Sequence, residues 1–225
     1  MAMLLKPRTT RNFVRILGDG SIRKKVSPDT PGAELRKWKT PDGAMGETYE
    51  LVFEHIEGRI AKVWFSDSQF GPQINTTFTD GGEDVTLTIG LNSRFADDYM
   101  KKLPSVDFSE PVSVVPYAFD DDKGKERKGV TFYQNDEKLG NYFYDVDSEE
   151  VLHDFPEPAG DEESSDDWKI YFLSVRKFLR KYVTEYVIPQ IESAVANASP
   201  VAAAEEQAEV ESEPVVAGAD EDFGW

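Results

Sequence analysis

Apolar and polar residues alternate through most of residues 12–144, the period of strands with one buried face. Residues 12–17 and 22–26 are two such runs, and Gly18-Asp19-Gly20-Ser21 between them offers the positive backbone angles of a hairpin turn. Pro28, Pro31 and Pro41 interrupt residues 27–46, which read as a long loop. Tyr49, Leu51 and Phe53 then alternate with Glu50 and Glu54, predicting a strand whose apolar side chains face inward. After a turn at Glu57-Gly58, Ala61, Val63 and Phe65 form the next inward face, with Lys62 and Trp64 opposite. Residues 74–79 and 85–91 are two further strands. Asn92 and Ser93 are N-caps for a short helix to about Lys102, and Pro104 ends it. Strands resume at 111–119, 129–135 and 139–144.

The period changes after an acidic, proline-containing connector at 145–167. Trp168, Tyr171, Phe172, Val175, Phe178, Leu179, Tyr182, Val183 and Tyr186 recur at spacings of three and four, predicting an amphipathic helix over 166–195, disturbed at Pro189. Residues 193–218, rich in Ala, Val, Glu and Pro, read as a flexible tether. It leads to Asp220-Glu221-Asp222-Phe223-Gly224-Trp225, an acidic run with an aromatic tip. The expected organisation is a β unit at 1–145, a connector and packed helix at 146–195, and a disordered acidic tail at 196–225.

Charge is placed unevenly. The net formal charge is −18, but residues 1–40 hold ten Lys and Arg against three acids. No Lys or Arg follows Lys181, while ten acids do. A basic start and an acidic end make the global charge a poor guide to partners. The chain has no cysteine, which excludes disulfides, thiolate zinc sites and Cys nucleophiles. The short apolar stretch at Met1 to Lys6 does not read as a signal peptide, and no apolar run reaches the roughly 20 residues of a membrane span. A soluble, cytoplasmic protein is expected.

Three segments combine cations with aromatic side chains, the pairing that tracks phosphates and stacks unpaired bases. They are Arg36-Lys37-Trp38-Lys39, the strand carrying Arg59, Lys62 and Trp64, and the hairpin carrying Lys123, Lys125, Arg127, Lys128 and Tyr133. Each has a structural alternative: Trp38 covering a sheet edge, Trp64 lying beneath the C-terminal helix, and the lysine run being a solvated turn. Tyr117 and Phe119 read as core. Arg8, Arg11, Arg15, Arg23, Lys24 and Lys25 are further candidates for phosphate contact. His55, on the face of Leu51 and Phe53, reads as a core or rim residue. No catalytic constellation, metal site or cofactor loop emerges, although Asp120-Asp121-Asp122 and Asp145-Val146-Asp147 are imaginable ligands of a metal-dependent nuclease.

The order of strands, short helix, strands and acidic tail with an aromatic tip resembles the single-stranded-DNA-binding proteins of tailed bacteriophages. That resemblance implies a mainly β chain built on an OB-fold, a five-stranded Greek-key barrel, here with an extra N-terminal hairpin, a short helix and a long C-terminal helix. It implies a non-enzymatic role in coating single strands during replication, recombination and repair. Asp220, Glu221 and Asp222 would supply tail charge, and Phe223 and Trp225 would anchor a polymerase, helicase or primase of phage or host. Phe-Gly-Trp departs from the bacterial tip, where an aliphatic residue, a proline and Phe are usual. Monomer and dimer are both open. The rival classes are an acidic DNA-mimic or chaperone-like protein and a virion structural protein.

Overall fold

A computed structural model describes residues 12–39, 43–80, 82–157 and 164–198. The chain is mainly β, with ten strands in one sheet: β1 (Asn12–Ile16), β2 (Ile22–Val26), β3 (Glu34–Lys39), β4 (Met45–Phe53), β5 (Ile56–Ser68), β6 (Gly71–Thr79), β7 (Val85–Gly90), β8 (Val112–Asp120), β9 (Glu126–Gln134) and β10 (Glu137–Leu139). Their order is β10-β9-β8-β5-β6-β7-β1-β2-β4-β3. Only β1 and β7 run parallel; every other pair is antiparallel. The ladder does not close. It curls, however, until the β1–β2 turn meets β8: a Cβ on Gly20 (φ +81°) would stand 2.8 Å from the Ala118 amide nitrogen. A small ladder of β11 (Tyr144–Asp145) and β12 (Glu150–Val151) lies apart.

Residues 27–46 are not one loop. β3 and the start of β4 form an edge hairpin there, so the N-terminal part holds two hairpins instead of one. The missed strand carries charges on both faces, which leaves no alternation to read. Register keeps Tyr49, Leu51 and Phe53 on the face of buried Ile22, as expected, but burial does not follow: Phe53 is exposed, while Thr48 and Glu50, on the opposite face, are buried. His55 is exposed in the following turn.

Helix α1 (Arg94–Lys102) is capped by Ser93, whose hydroxyl accepts from the Ala96 amide. It buries Phe95, Tyr99 and Met100. The Tyr99 hydroxyl donates to Thr76 at 2.8 Å, and its ring meets Phe132 edge-on at 5.0 Å. Asp98 accepts from the Val130 amide at 2.8 Å, and Lys102 donates to the Val130 carbonyl. An otherwise open stretch of the β9 edge is thereby satisfied. Both backbone groups of Val130 turn away from its register partner Pro116, so the proline's missing donor costs this ladder nothing.

The C-terminal helix begins at a Ser164–Asp167 capping box. Helix α2 (Ser165–Tyr182) continues through a π-helical turn, Val183–Val187, into α3 (Ile188–Ala198). The wide turn precedes Pro189, whose ring nitrogen has no hydrogen for Glu185. Val175, Leu179, Val183, Val187 and Ile191, four residues apart, join the same buried cluster as Val63, Ile74 and Phe132. Arg176 ties the helix to α1 through Asp97 at 3.1 Å; burial pushes the Asp97 carboxyl up, and Arg176 opposes that shift. Of the expected aromatic face, Phe172 and Tyr186 remain exposed.

Removing residues after Ser165 takes away this stripe of buried side chains. The 1–165 fragment is expected to aggregate or lose its cooperative unfolding transition. Leu179→Ala in the full chain should lower stability by about 2–5 kcal/mol, read by urea denaturation.

Candidate nucleic-acid interface

Strand register decides which of the candidate side chains share a face. β5 carries a bulge between Ile60 and Lys62. It resets the alternation, so Ile60 and Val63 both point into the core while Arg59, Lys62 and Trp64 lie on the opposite, outer face. Strict alternation would have put Arg59 inward beside Ala61 and Val63. Phe65, on the inner side, meets the C-terminal helix, with the Arg180 guanidinium 5.1 Å from its ring centre. Trp64 is on the other face, half-buried, with the Lys62 ammonium 5.5 Å from its ring.

From Trp64 the register runs across the sheet through Asn75 on β6, Thr88 on β7, Arg15 on β1, Arg23 on β2 and Val52 on β4. At roughly 4.8 Å between strands, Trp64 and Arg23 stand about 19 Å apart. The middle of the row is a fixed polar floor. Asn75 donates to Ser66 at 2.8 Å and accepts from Thr88 at 2.9 Å, and the Thr77 and Thr86 hydroxyls lie 3.2 Å apart. Phe13, exposed on the same face, stands in register with Thr86.

At the far end, Glu50 organises the cations. Its carboxylate is fully buried and contacts Arg15 at 2.6 Å, Arg23 at 3.7 Å and Arg36 at 3.8 Å. Arg23 also meets Asp19 at 3.3 Å and Glu34 at 4.0 Å, so it is the most fully neutralised of the three. Arg15 and Arg36 keep donors free for an incoming anion. Arg36 lies 5.2 Å from the Trp38 ring centre. That indole rests on Gly46, which leaves no room for a Cβ beneath it. Glu50 Oε2 and the Thr48 hydroxyl, both buried, have no hydrogen-bond partner.

The candidate residues therefore divide. Arg36, Trp38, Arg59, Lys62 and Trp64 share the outer face. Lys37 and Lys39 alternate to the other side of β3, where Lys37 pairs with Glu47 at 2.9 Å. The β8–β9 turn is arranged around Asp121, which accepts from the Lys123 and Lys125 amides and from Arg127 Nε, all within 3.0 Å. These bonds, the Lys125 amide foremost, hold the Asp121 carboxyl below the usual range. Lys128 pairs with Glu126 at 2.6 Å. Tyr117 and Phe119 are not core: Phe119 is exposed, half-buried Tyr117 lies beside it, and both occupy the outer face with Arg127 and Tyr133. Lys102, Tyr117, Phe119, Asp121, Arg127, Thr131 and Lys138 line a cavity of about 560 Å³. Arg8 and Arg11 and the tail residues Asp220, Glu221, Asp222, Phe223 and Trp225 lie outside the described residues.

Sequence reasoning placed Arg15 and Arg23 only in a general basic segment and missed Glu50. Its arginine partners come from three other strands, so the signal is visible only once register is known. Among the described residues, no group of three or more His, Asp or Glu side chains could hold a metal ion, and no helix is long and apolar enough to cross a membrane. No family model, curated protein or solved structure matches this chain.

Glu50→Gln keeps the shape but removes the charge that holds three arginines together. It should cost about 1–3 kcal/mol of stability, with the loss shrinking as salt screens the guanidiniums. Denaturation at low and high ionic strength reads both effects.

Proposed function

We propose that this chain binds single-stranded DNA without sequence preference, through the outer face of its sheet, and performs no chemistry on it. The observation that carries the reading is the shared outer face that holds Trp64 on β5 and Trp38 on β3. Lys62 lies beside one indole and Arg36 beside the other, and Arg15 and the hydrogen-bonded hydroxyls and amides of β6 and β7 lie on the same face between those strands. Cations neutralise phosphates, while the flat rings stack bases at about 1–3 kcal/mol each. A duplex hides its base faces and can use only the cations.

The order of the middle strands supports the same reading. β9-β8-β5-β6-β7, with α1 between β7 and β8, follows the connectivity of an OB-fold whose first strand is β5. On that reading the β8–β9 turn is the loop between the last two barrel strands, and β1 to β4 extend the sheet beyond its third strand. The resemblance to bacteriophage proteins extends the proposal to coating of single strands during replication, recombination and repair in the host cytoplasm. The acidic tail competes with DNA for the cations, and Phe223 and Trp225 engage a polymerase, helicase or primase.

Oligo-dT should bind more tightly than a duplex of equal length at moderate salt, measured by gel shift or anisotropy. Equal affinity would contradict base stacking. Trp38→Ala and Trp64→Ala should each weaken oligo-dT binding by about five- to a hundredfold without loss of fold. Arg15→Ala should instead lower the slope of log affinity against log salt by about one. If neither tryptophan variant differs from the parent protein, the face is wrongly assigned.

The tail has its own test. Deleting residues 199–225, which follow α3, removes eight acids, and should tighten binding to single strands at low salt while abolishing contact with a replication enzyme. Replacing only Phe223 and Trp225 with Ala should abolish the contact and leave DNA affinity nearly unchanged. Weaker DNA binding by the deletion would contradict the competition.

A further inference from the structure

Helix α2 has a second apolar stripe, opposite the one that faces the core. Ile170 and Leu173 are 65% and 63% exposed, on the side of the helix turned away from buried Val175 and Leu179. Asp166 precedes them by one turn and Lys177 follows by one turn, so the four residues step by four, three and four along one line. That spacing is the seam of a paired helix. Asp166 has only an exposed partner within its own helix, Lys169 at 2.8 Å, and Lys177 makes no ion pair among the described residues.

We propose that this stripe is a dimer interface with a second copy of the chain, its two α2 helices packed antiparallel. A two-fold axis passing between Tyr171 and Phe172 brings Ile170 against the partner's Leu173. The same axis brings Asp166 against the partner's Lys177, and each contact occurs twice. The stripe is thus complementary to itself in charge as well as in shape, the condition for a closed two-fold interface. A parallel pairing would set Asp166 against the partner's Asp166 and Lys177 against the partner's Lys177, and like charges disfavour it. The stripe includes none of the candidate DNA-contacting residues, so the proposal does not depend on the function assigned to the sheet.

Sedimentation of the full chain over a concentration series at low salt tests the pairing. The parent protein should dimerise reversibly. Ile170→Asp with Leu173→Asp should leave it monomeric with unchanged circular dichroism. Asp166→Lys and Lys177→Asp should each weaken dimerisation about tenfold or more. Mixing those two variants should restore it, because every charged contact between them is then attractive, and the double variant carrying both changes should also dimerise. A parent protein that stays monomeric would overturn the proposal. So would a dimer insensitive to these changes, or one weakened by the single changes but not restored by mixing.

Discussion

A single extra residue in β5 sets the character of the sheet's outer face. The bulge between Ile60 and Lys62 lets Ile60 and Val63 both enter the core, while Arg59, Lys62 and Trp64 emerge on the other side. Without it, one side of the strand would have to carry both Arg59 and Val63. Because paired residues in a ladder share a face, the phase set in β5 passes through β6 and β7 into β1, β2, β4 and β3. Trp64 and Trp38 come from segments 26 residues apart in the chain and share a face only through that chain of registers.

Buried Glu50 is the second fixed point. An isolated carboxylate at that depth would be expensive; three guanidiniums from three strands offset the cost. The arrangement pre-organises Arg15 and Arg36 before any ligand arrives, which reduces the ordering cost of binding an anion. Arg15, Arg36, Arg59 and Lys62 share the outer face of a chain whose net charge is −18, and ten of its acids lie after Lys181.

Local chemistry made part of this fold legible. Ser93 as a cap, Pro104 as a stop and the alternation of residues 85–91 and 111–119 placed β7, α1 and β8 to within a residue or so. β3 was hidden because Glu34, Arg36 and Trp38 on one face and Leu35, Lys37 and Lys39 on the other give no clean period. The burial of Glu50 on β4 was hidden for a related reason: an acid buried by arginines 14 to 35 residues away looks like a surface acid to any local rule. Trp64 was placed on the correct side, while Arg59, beyond the bulge, could not be. The outward stripe of α2 was masked by the denser aromatic side that faces the core.

The outer face as the DNA surface is tested most directly by ultraviolet crosslinking of oligo-dT to the full chain, followed by peptide mapping. Crosslinks should fall on the peptides carrying Phe13, Trp38 and Trp64, and should disappear when unlabelled single strands compete but persist against duplex. Crosslinks confined to α2 and α3, or competed equally well by duplex, would contradict the account.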